Sequence, residues 1–369
     1  MTIIFTGGHL TPALAVIDTL RHDHPSWRII FIGRRFTGST PAQESRLITS
    51  RGLLFLPLIS GKLHRHFSLN SLTTLFKLPL GFWQALVYLL RYRPQLVVSF
   101  GSYLAVPVSF AAAILKIPIL THEQSTRLGL ANRLIARVAD KVAISWPTSQ
   151  TFPAAKTVLT GNPLRQTILD RQTRPPFPLP PHFPIIYVTG GNQGSQTINN
   201  TLLPILTRLL RSLVVIHQTG LTDESRFQTV KAALPHSLQN RYWPQSWFDD
   251  HQTSWCLHHA NLVVSRAGAN ITTELAFTGT PALLIPLPRV QQQEQLHNGQ
   301  LLEAAGTARV LLQTHLTPQT LFTNITDMLG HQLDFRRHRR QARQLVDPQA
   351  TSKLVRLIYE LVKTAPPRS

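Results

Sequence analysis

The sequence predicts an α/β protein made of two doubly wound parallel-sheet domains that face a central cleft. Three observations predict it. Short runs of β-branched and apolar residues alternate with helical patterns, the rhythm of a parallel sheet buried between two layers of helices. That rhythm stops at a proline cluster, RPPFPLPPHFP (Arg174 to Pro184), and then restarts. Both halves open identically, on a strand, a Thr-Gly-Gly turn and a helix. At 369 residues the chain is long for one core and comfortable for two. The expected division is 1–165 for the first domain, 166–184 for a Pro-rich linker, 185–346 for the second domain and 347–369 for a terminal helix.

In the first half the expected strands are Ile3–Phe5, Arg28–Ile32, Leu53–Leu58, Leu96–Ser99, Ile117–Leu120 and Val142–Ile144, with apolar or amphipathic helices between them. The first strand ends in Thr6-Gly7-Gly8-His9, and a helix starts just past Thr11-Pro12, where proline costs no hydrogen bond. The proline cluster can be neither helix nor central strand and reads as a connector. After it, Ile185–Val188 is a strand, followed by the turn Thr189-Gly190-Gly191-Asn192-Gln193-Gly194-Ser195 and a helix. Further strands are expected at Leu213–His217, Leu262–Val264, Ala282–Ile285 and Ala308–Leu311. A last helix, Ser352 to Thr364, follows the break at Asp347-Pro348 and is expected to pack back on the first domain.

Charge narrows the function. Thirty-seven Lys and Arg against 17 Asp and Glu leave a net charge of +20, which calls for a polyanion, an anionic membrane or a phosphorylated substrate. No nucleic-acid-binding motif is present. The single cysteine, Cys256, excludes an intrachain disulfide and a multi-cysteine metal site. Met1 runs straight into the first strand, which leaves no room for a signal peptide. Leu78 to Leu90 is too short to span a membrane and contains Pro79 and Gln84.

Glycine turns at strand ends carry the chemistry. Two glycines let backbone approach a ligand, and the helix N-terminus behind them attracts anions. Neither half has a complete G-x-G-x-x-G or the acidic residue of a dinucleotide site, and there is no P-loop. The signal lies in repetition: Thr6-Gly7-Gly8, Gly101-Ser102-Tyr103 and Arg266-Ala267-Gly268-Ala269-Asn270 each follow a strand, and Gly161-Asn162-Pro163-Leu164-Arg165 ends the first domain. Together they outline a diphosphate pocket, with Arg165 or Arg266 as counter-charge. His9 stands at the first turn as a candidate base, because imidazole titrates near neutral pH. The alternative for His9 is a histidine satisfied by local backbone. His122-Glu123-Gln124 lies at a strand's carboxyl end, where such folds bind ligands; it could equally cap the next helix. Glu274 and the run Gln291 to Gln295 could be solvated helix residues.

The ordered set TGGHLTPALA, HEQ, GNPLR, GG-x-QG, S-R-x-G-A-x-x-x-x-E and Q-x-x-N resembles the MurG family, the peptidoglycan N-acetylglucosaminyltransferases of glycosyltransferase family 28. The resemblance runs from residue 3 to about residue 345. It implies a GT-B fold and an inverting, metal-independent, cofactor-free transfer of GlcNAc from UDP-GlcNAc to the MurNAc 4-hydroxyl of lipid I, giving lipid II. By matching positions, His9 is the general base and Glu123 a second candidate. The donor would be met by Thr6, Gly7, Gly8, Ser125, Arg165, Asn192, Gln193, Gly194, Phe248, Ala269, Asn270, Ile271, Thr272, Thr273, Glu274 and Gln295. Within that set Glu274 holds the ribose, residues 269–273 meet the phosphates and Phe248 offers its backbone to the uracil. Gly101 and Tyr103 belong to the acceptor side. Arg165 and Ser125 are reached from the first domain.

The chain departs from the family pattern at several positions. Ile4 and Phe5 replace two glycines, Ser102 replaces the middle residue of G-G-Y, and Ser125 and Asn192 replace the asparagine of H-E-Q-N and the serine of G-G-S-Q-G. Glu294 replaces a histidine or glutamine. The segment Lys62 to Arg93 sets Leu72, Leu75, Phe76, Phe82 and Trp83 beside cations, as an interfacial helix on anionic lipid would. That fits a peripheral enzyme on the cytoplasmic face of the membrane. The competing functions are another GT-B lipid glycosyltransferase, a UDP-GlcNAc 2-epimerase, or an inactive membrane scaffold.

Overall fold

In the computed structural model the described residues are 1–37, 40–59, 69–125, 129–147, 152–171, 174–191, 193–288 and 293–364; the side chains of 37, 40, 41, 43 and 69–78 are outside the description. The chain forms two units, Met1–Pro163 with Gln349–Ser369, and Leu164–Pro348.

The first unit runs β1 (Thr2–Gly7), α1 (Leu10–Asp23), β2 (Arg28–Gly33), the short pair β3 (Phe36–Thr37) and β4 (Thr40–Pro41), α2 (Gln43–Ser50), β5 (Leu54–Pro57), α3 (Leu69–Tyr92), β6 (Leu96–Phe100), α4 (Ser102–Ile114), β7 (Ile119–Glu123), α5 (Leu130–Val138), β8 (Lys141–Ile144) and β9 (Thr157–Leu159). The second runs α6 (Gln166–Leu169), β10 (Ile185–Thr189), α7 (Gln196–Leu202), α8 (Leu206–Leu210), β11 (Val214–Gln218), α9 (Glu224–Ala233), α10 (His236–Gln239), β12 (Tyr242–Gln245), α11 (Asp250–His259), β13 (Leu262–Ser265), α12 (Ala269–Thr278), β14 (Ala282–Leu284), α13 (Glu294–Ala304), β15 (Ala308–Val310), α14 (Pro318–Gly330), α15 (Gln332–Arg337) and α16 (Arg339–Arg343). The last helix, α17 (Ala350–Thr364), returns to the first unit and packs on α1.

The first unit holds a seven-stranded parallel sheet in the order β5-β2-β1-β6-β7-β8-β9, and the second a six-stranded parallel sheet in the order β12-β11-β10-β13-β14-β15. In each, the strand order reverses at the opening strand, β1 or β10, which is where doubly wound sheets leave a crevice beyond the strand ends. Each sheet is clothed on both faces. In β1, Ile4 joins one hydrophobic layer while Ile3 and Phe5 join the other, as the two-residue period requires. Ile4 and Phe5 are fully buried, and Phe5 stacks on Phe100 at 6.3 Å. The residues that replace the family's glycines therefore build the core of the central strand.

Three sequence expectations change. The segment 166–184 is not a bare connector: Ile168 and Phe177 are buried in the core of the second unit, with Leu169, Leu179 and Phe183 packed against it. Arg165 belongs to the second unit, not the first. The strand expected at Ile117–Leu120 runs to Glu123, so His122 and Glu123 are its last two residues and only Gln124 follows it.

Candidate active site

At the carboxyl ends of β1, β6 and β7 the first unit gathers a buried polar cluster. The chain passes from β1 to α1 under tight constraint. Gly7 has φ +136°, and a side chain there would come within 2.7 Å of the Phe100 backbone. At Gly8 it would meet Ser102, while the Gly8 N–H donates to the Gly101 carbonyl at 3.2 Å. These glycines are needed for the β6–α4 turn to close on the β1–α1 turn. The closure places His9 half-buried, with its Nδ1 2.7 Å from the Gln124 side-chain amide. Burial lowers the His9 pKa and the Glu123 charge partly restores it.

Glu123 is 2% exposed, and both of its oxygens are engaged: Oε1 accepts from the Ser125 backbone N–H at 2.9 Å and Oε2 from Asn132 Nδ2 at 2.8 Å. It fixes the loop after β7 rather than standing open to a substrate proton. His122 lies 3.2 Å through Nε2 from the Gly161 carbonyl and 3.1 Å from Ser145 Oγ, and burial holds its pKa down at about 4. Four buried polar atoms of this cluster, Thr6 Oγ1, His122 Nδ1, Gln124 Oε1 and Asn132 Oδ1, have no hydrogen-bond partner among the described residues. Native interiors leave few such atoms unpaired, so their concentration at one sheet end makes it a candidate binding site. Tyr103 joins a group the sequence did not reveal: its hydroxyl accepts from Arg34 Nη1 at 3.0 Å, and Arg34 pairs with the buried Glu44 at 3.4 Å.

The second unit builds its candidate site on α12. The N-cap residue is Gly268, with no side chain to cap the helix and open space around it. The first N–H groups of a helix have no intrahelical partner, so this end offers donors and a positive dipole. The hydroxyls of Thr272 and Thr273 turn back onto the carbonyls of Gly268 and Ala269, and Ala269 is itself buried. Asn270 and Ile271 complete that first turn. One turn further, the Glu274 carboxylate is 4% exposed and receives Arg165 Nε at 2.8 Å and Nη2 at 2.6 Å, both on Oε1. Arg165 Nη1 also donates to Asp250 Oδ1 at 2.9 Å. Burial alone would lower the Arg165 pKa, but the two carboxylates more than offset it and the guanidinium stays charged. Burial pushes Glu274 up while Arg165 pulls it back, and the short contacts hold the two as an ion pair.

Gln295 Oε1 accepts from the Leu287 N–H at 3.0 Å. The Phe248 side chain is buried between Tyr187 and Phe177, leaving its backbone as the part able to meet a ligand. Gly194 has φ +75°, and a side chain there would strike the carbonyl of Thr219, so the glycine loop rests on the end of β11 with Gln193 exposed. Asn192 lies outside the described residues, as do Gln291 and Gln292. Arg266, the other candidate counter-charge, donates to the Ile285 carbonyl at 3.1 Å, and burial lowers its pKa to about 10.

Two parallel sheets of this topology, each with open glycine turns at the ends of its central strands, are the architecture of the GT-B fold. Family models for the glycosyltransferase family 28 N-terminal and C-terminal domains match residues 1–144 and 185–354. The UDP-N-acetylglucosamine–N-acetylmuramyl-(pentapeptide) pyrophosphoryl-undecaprenol N-acetylglucosamine transferase of Nitratidesulfovibrio vulgaris is 32% identical, over 98% of this chain and 96% of its own. The crystal structure of Acinetobacter baumannii MurG is 27% identical, with a TM-score of 0.69 over 97% of this chain and 99% of that one. A UDP-GlcNAc 2-epimerase from Neisseria meningitidis bound to UDP-GlcNAc shares the fold at a TM-score of 0.62, with 14% identity, 98% of this chain and 100% of that chain being covered. The chain belongs to glycosyltransferase family 28 and, within it, to the MurG family.

Proposed function

We propose that the chain transfers N-acetylglucosamine from UDP-N-acetylglucosamine to the MurNAc 4-hydroxyl of an undecaprenyl-diphosphate-linked acceptor, inverting the anomeric carbon and using no metal ion. The carrying observation is 32% identity, over nearly the full length of both chains, to a transferase of that name. The epimerase likeness, at 14% identity, speaks for the fold alone.

The chain's residues fit the parts of such a displacement. His9, kept neutral by burial, takes the proton of the attacking hydroxyl. Glu123 supports it from the end of β7, its charge favouring the imidazolium that forms. The uncapped start of α12 receives charge developing on the departing diphosphate, the work a metal does in other transferases. Glu274 Oε1 is held by Arg165, and in this reading its second oxygen accepts from the ribose hydroxyls. Gln193, Gly194, the Phe248 backbone and Gln295 complete the donor contacts.

We further propose that the enzyme works on a membrane surface through α3. Leu80, Trp83, Val87 and Leu90 are all more than half exposed, and their spacing puts them on one helix face. Arg91 and Arg93 follow it. Phe82, expected on that face, instead packs against the core, and Leu72, Leu75 and Phe76 lie outside the described side chains. No helix among the described residues is long and apolar enough to cross a membrane.

The test is an assay of purified protein with UDP-GlcNAc, a lipid I analogue and EDTA. A disaccharide-lipid product, reduced about 100-fold or more in His9→Ala, is the expected result. UDP-GlcNAc consumed without acceptor, or no product at all, refutes the proposal.

A further inference from the structure

The second unit carries a cavity of about 400 Å³ whose lining includes Arg171, Arg336, Arg339, Arg340, Arg343 and His258, and no carboxylate. It lies at the carboxyl end of α12, beside Thr278, Gly279 and Thr280. The candidate donor site lies at the amino end of that helix. Ten residues of helix separate the two by about 15 Å, so this is a different place on the unit.

The arginines are brought together by the fold. Gly279 closes α12 in the left-handed region, at φ +67°, and a side chain there would collide with Arg339. Its absence lets α16 lie directly on the helix end, and α16 supplies the neighbours Arg339 and Arg340 with Arg343 one turn further on. Arg343 also lies over the Phe277 ring at 4.4 Å, which fixes its guanidinium plane at the cavity wall. Arg171 comes from the chain just after α6, and Arg336 from α15.

Arginine clusters often serve structure by pairing with carboxylates or helix-end carbonyls. Here Arg171, Arg339, Arg340 and Arg343 make no such hydrogen bond or ion pair among the described residues; the arginine pairs of this region and of the donor site involve Arg337 and Arg165 instead. The carbonyl of Leu275 is taken by the Gly279 N–H and the Thr278 hydroxyl. The cluster is repulsive within itself. After burial, the fields of Arg339 and Arg171 lower Arg336, and those of Arg171 and Arg343 contribute to lowering His258. Like charges held this close without a counter-charge are destabilising, and an anion in the cavity reverses the sign.

We propose that this cavity is a second anion site, which binds a phosphate-bearing group through the forked N–H donors of Arg339, Arg343 and Arg171. Guanidinium forks match paired oxygens, which disfavours a halide, and several arginines around one cavity favour the multiple charge and extra oxygens of a phosphate or diphosphate over a single carboxylate. The phosphate comes either from a lipid headgroup or from a soluble phosphate compound. The site is independent of the transferase reading and stands whichever sugar the enzyme moves.

The test uses the full-length protein with UDP present in saturating amount, so that the donor site is filled. Pyrophosphate is titrated calorimetrically at physiological ionic strength into wild type, the double variant Arg339→Gln/Arg343→Gln, and the charge-matched control Arg211→Gln/Arg356→Gln. The expected result is saturable binding weakened about tenfold or more by the cavity variant and about twofold or less by the control. Flotation with phosphatidylglycerol–phosphatidylcholine vesicles separates the sources. A loss confined to the cavity variant assigns the phosphate to lipid, and equal flotation of all three proteins assigns it to a soluble compound. Absence of saturable pyrophosphate binding, or equal weakening in both double variants, overturns the proposal. Thermal melting no lower than that of wild type, with unchanged UDP affinity, shows that the cavity variant is folded.

Discussion

At His9 and Glu123 the structure separates two residues that the sequence offered for the same duty. A base acts unprotonated, and burial lowers the His9 pKa, so the acid limb of the kcat/KM profile is expected below pH 6.5. Glu123→Gln removes the charge that raises His9, so the limb moves further to acid while activity survives in part. If Glu123 were the base, that variant would be inactive at every pH. Ser102 offers a second test. It holds φ +72°, where the family has glycine, and a side chain in that region costs about 1–2 kcal/mol. Ser102→Gly regains part of this against glycine's larger unfolded-state entropy, for a net gain of about 1 kcal/mol or less in urea unfolding.

Elements differ in how far they could be read from sequence. The central strands are β-branched runs closed by glycine, and their pattern located β1, β6, β10 and β13 because burial on both faces demands continuous apolar sequence. Of the edge strands, β5 and β15 were expected and β9 and β12 escaped. β9 is three half-exposed or exposed residues, and β12 contains Pro244, which only an edge tolerates. The α12 start was legible from its glycine turn, whereas the Arg165–Glu274 pair joins residues 109 apart in the chain, and no local pattern reports that. On α3 the apolar composition was visible but not its rotation, which decides that Phe82 faces inward and Leu80, Val87 and Leu90 outward. Trp83→Ala with Val87→Ala is therefore expected to weaken binding to anionic vesicles about tenfold or more, at roughly 25 cal/mol per Å² of apolar surface, with kcat on a soluble acceptor analogue unchanged. Equal partitioning of variant and wild type would remove α3 from the interface.

On the scale of the molecule, the first unit is assembled from both ends of the chain. Leu354 and Ile358 of α17 are fully buried among side chains of α1 and the first sheet, and Val355, Leu357 and Leu361 nearly so. Tyr359 meets Trp27 edge-on at 5.7 Å and donates to Asp23 at 3.2 Å. Leu354→Ala should cost about 2–5 kcal/mol, read as a lower denaturation midpoint of the first unit. UDP binding, which we assign to the second unit, is expected to persist where that unit remains folded. Loss of both together would show that the two units unfold as one.

The return of α17 also sets an order of manufacture. The second unit is continuous and can finish folding as soon as it clears the ribosome. The first unit leaves the ribosome earliest yet waits for the last helix before its core is complete. A premature stop after Pro348 would thus spare the half of the protein made second and cripple the half made first, the one that carries His9.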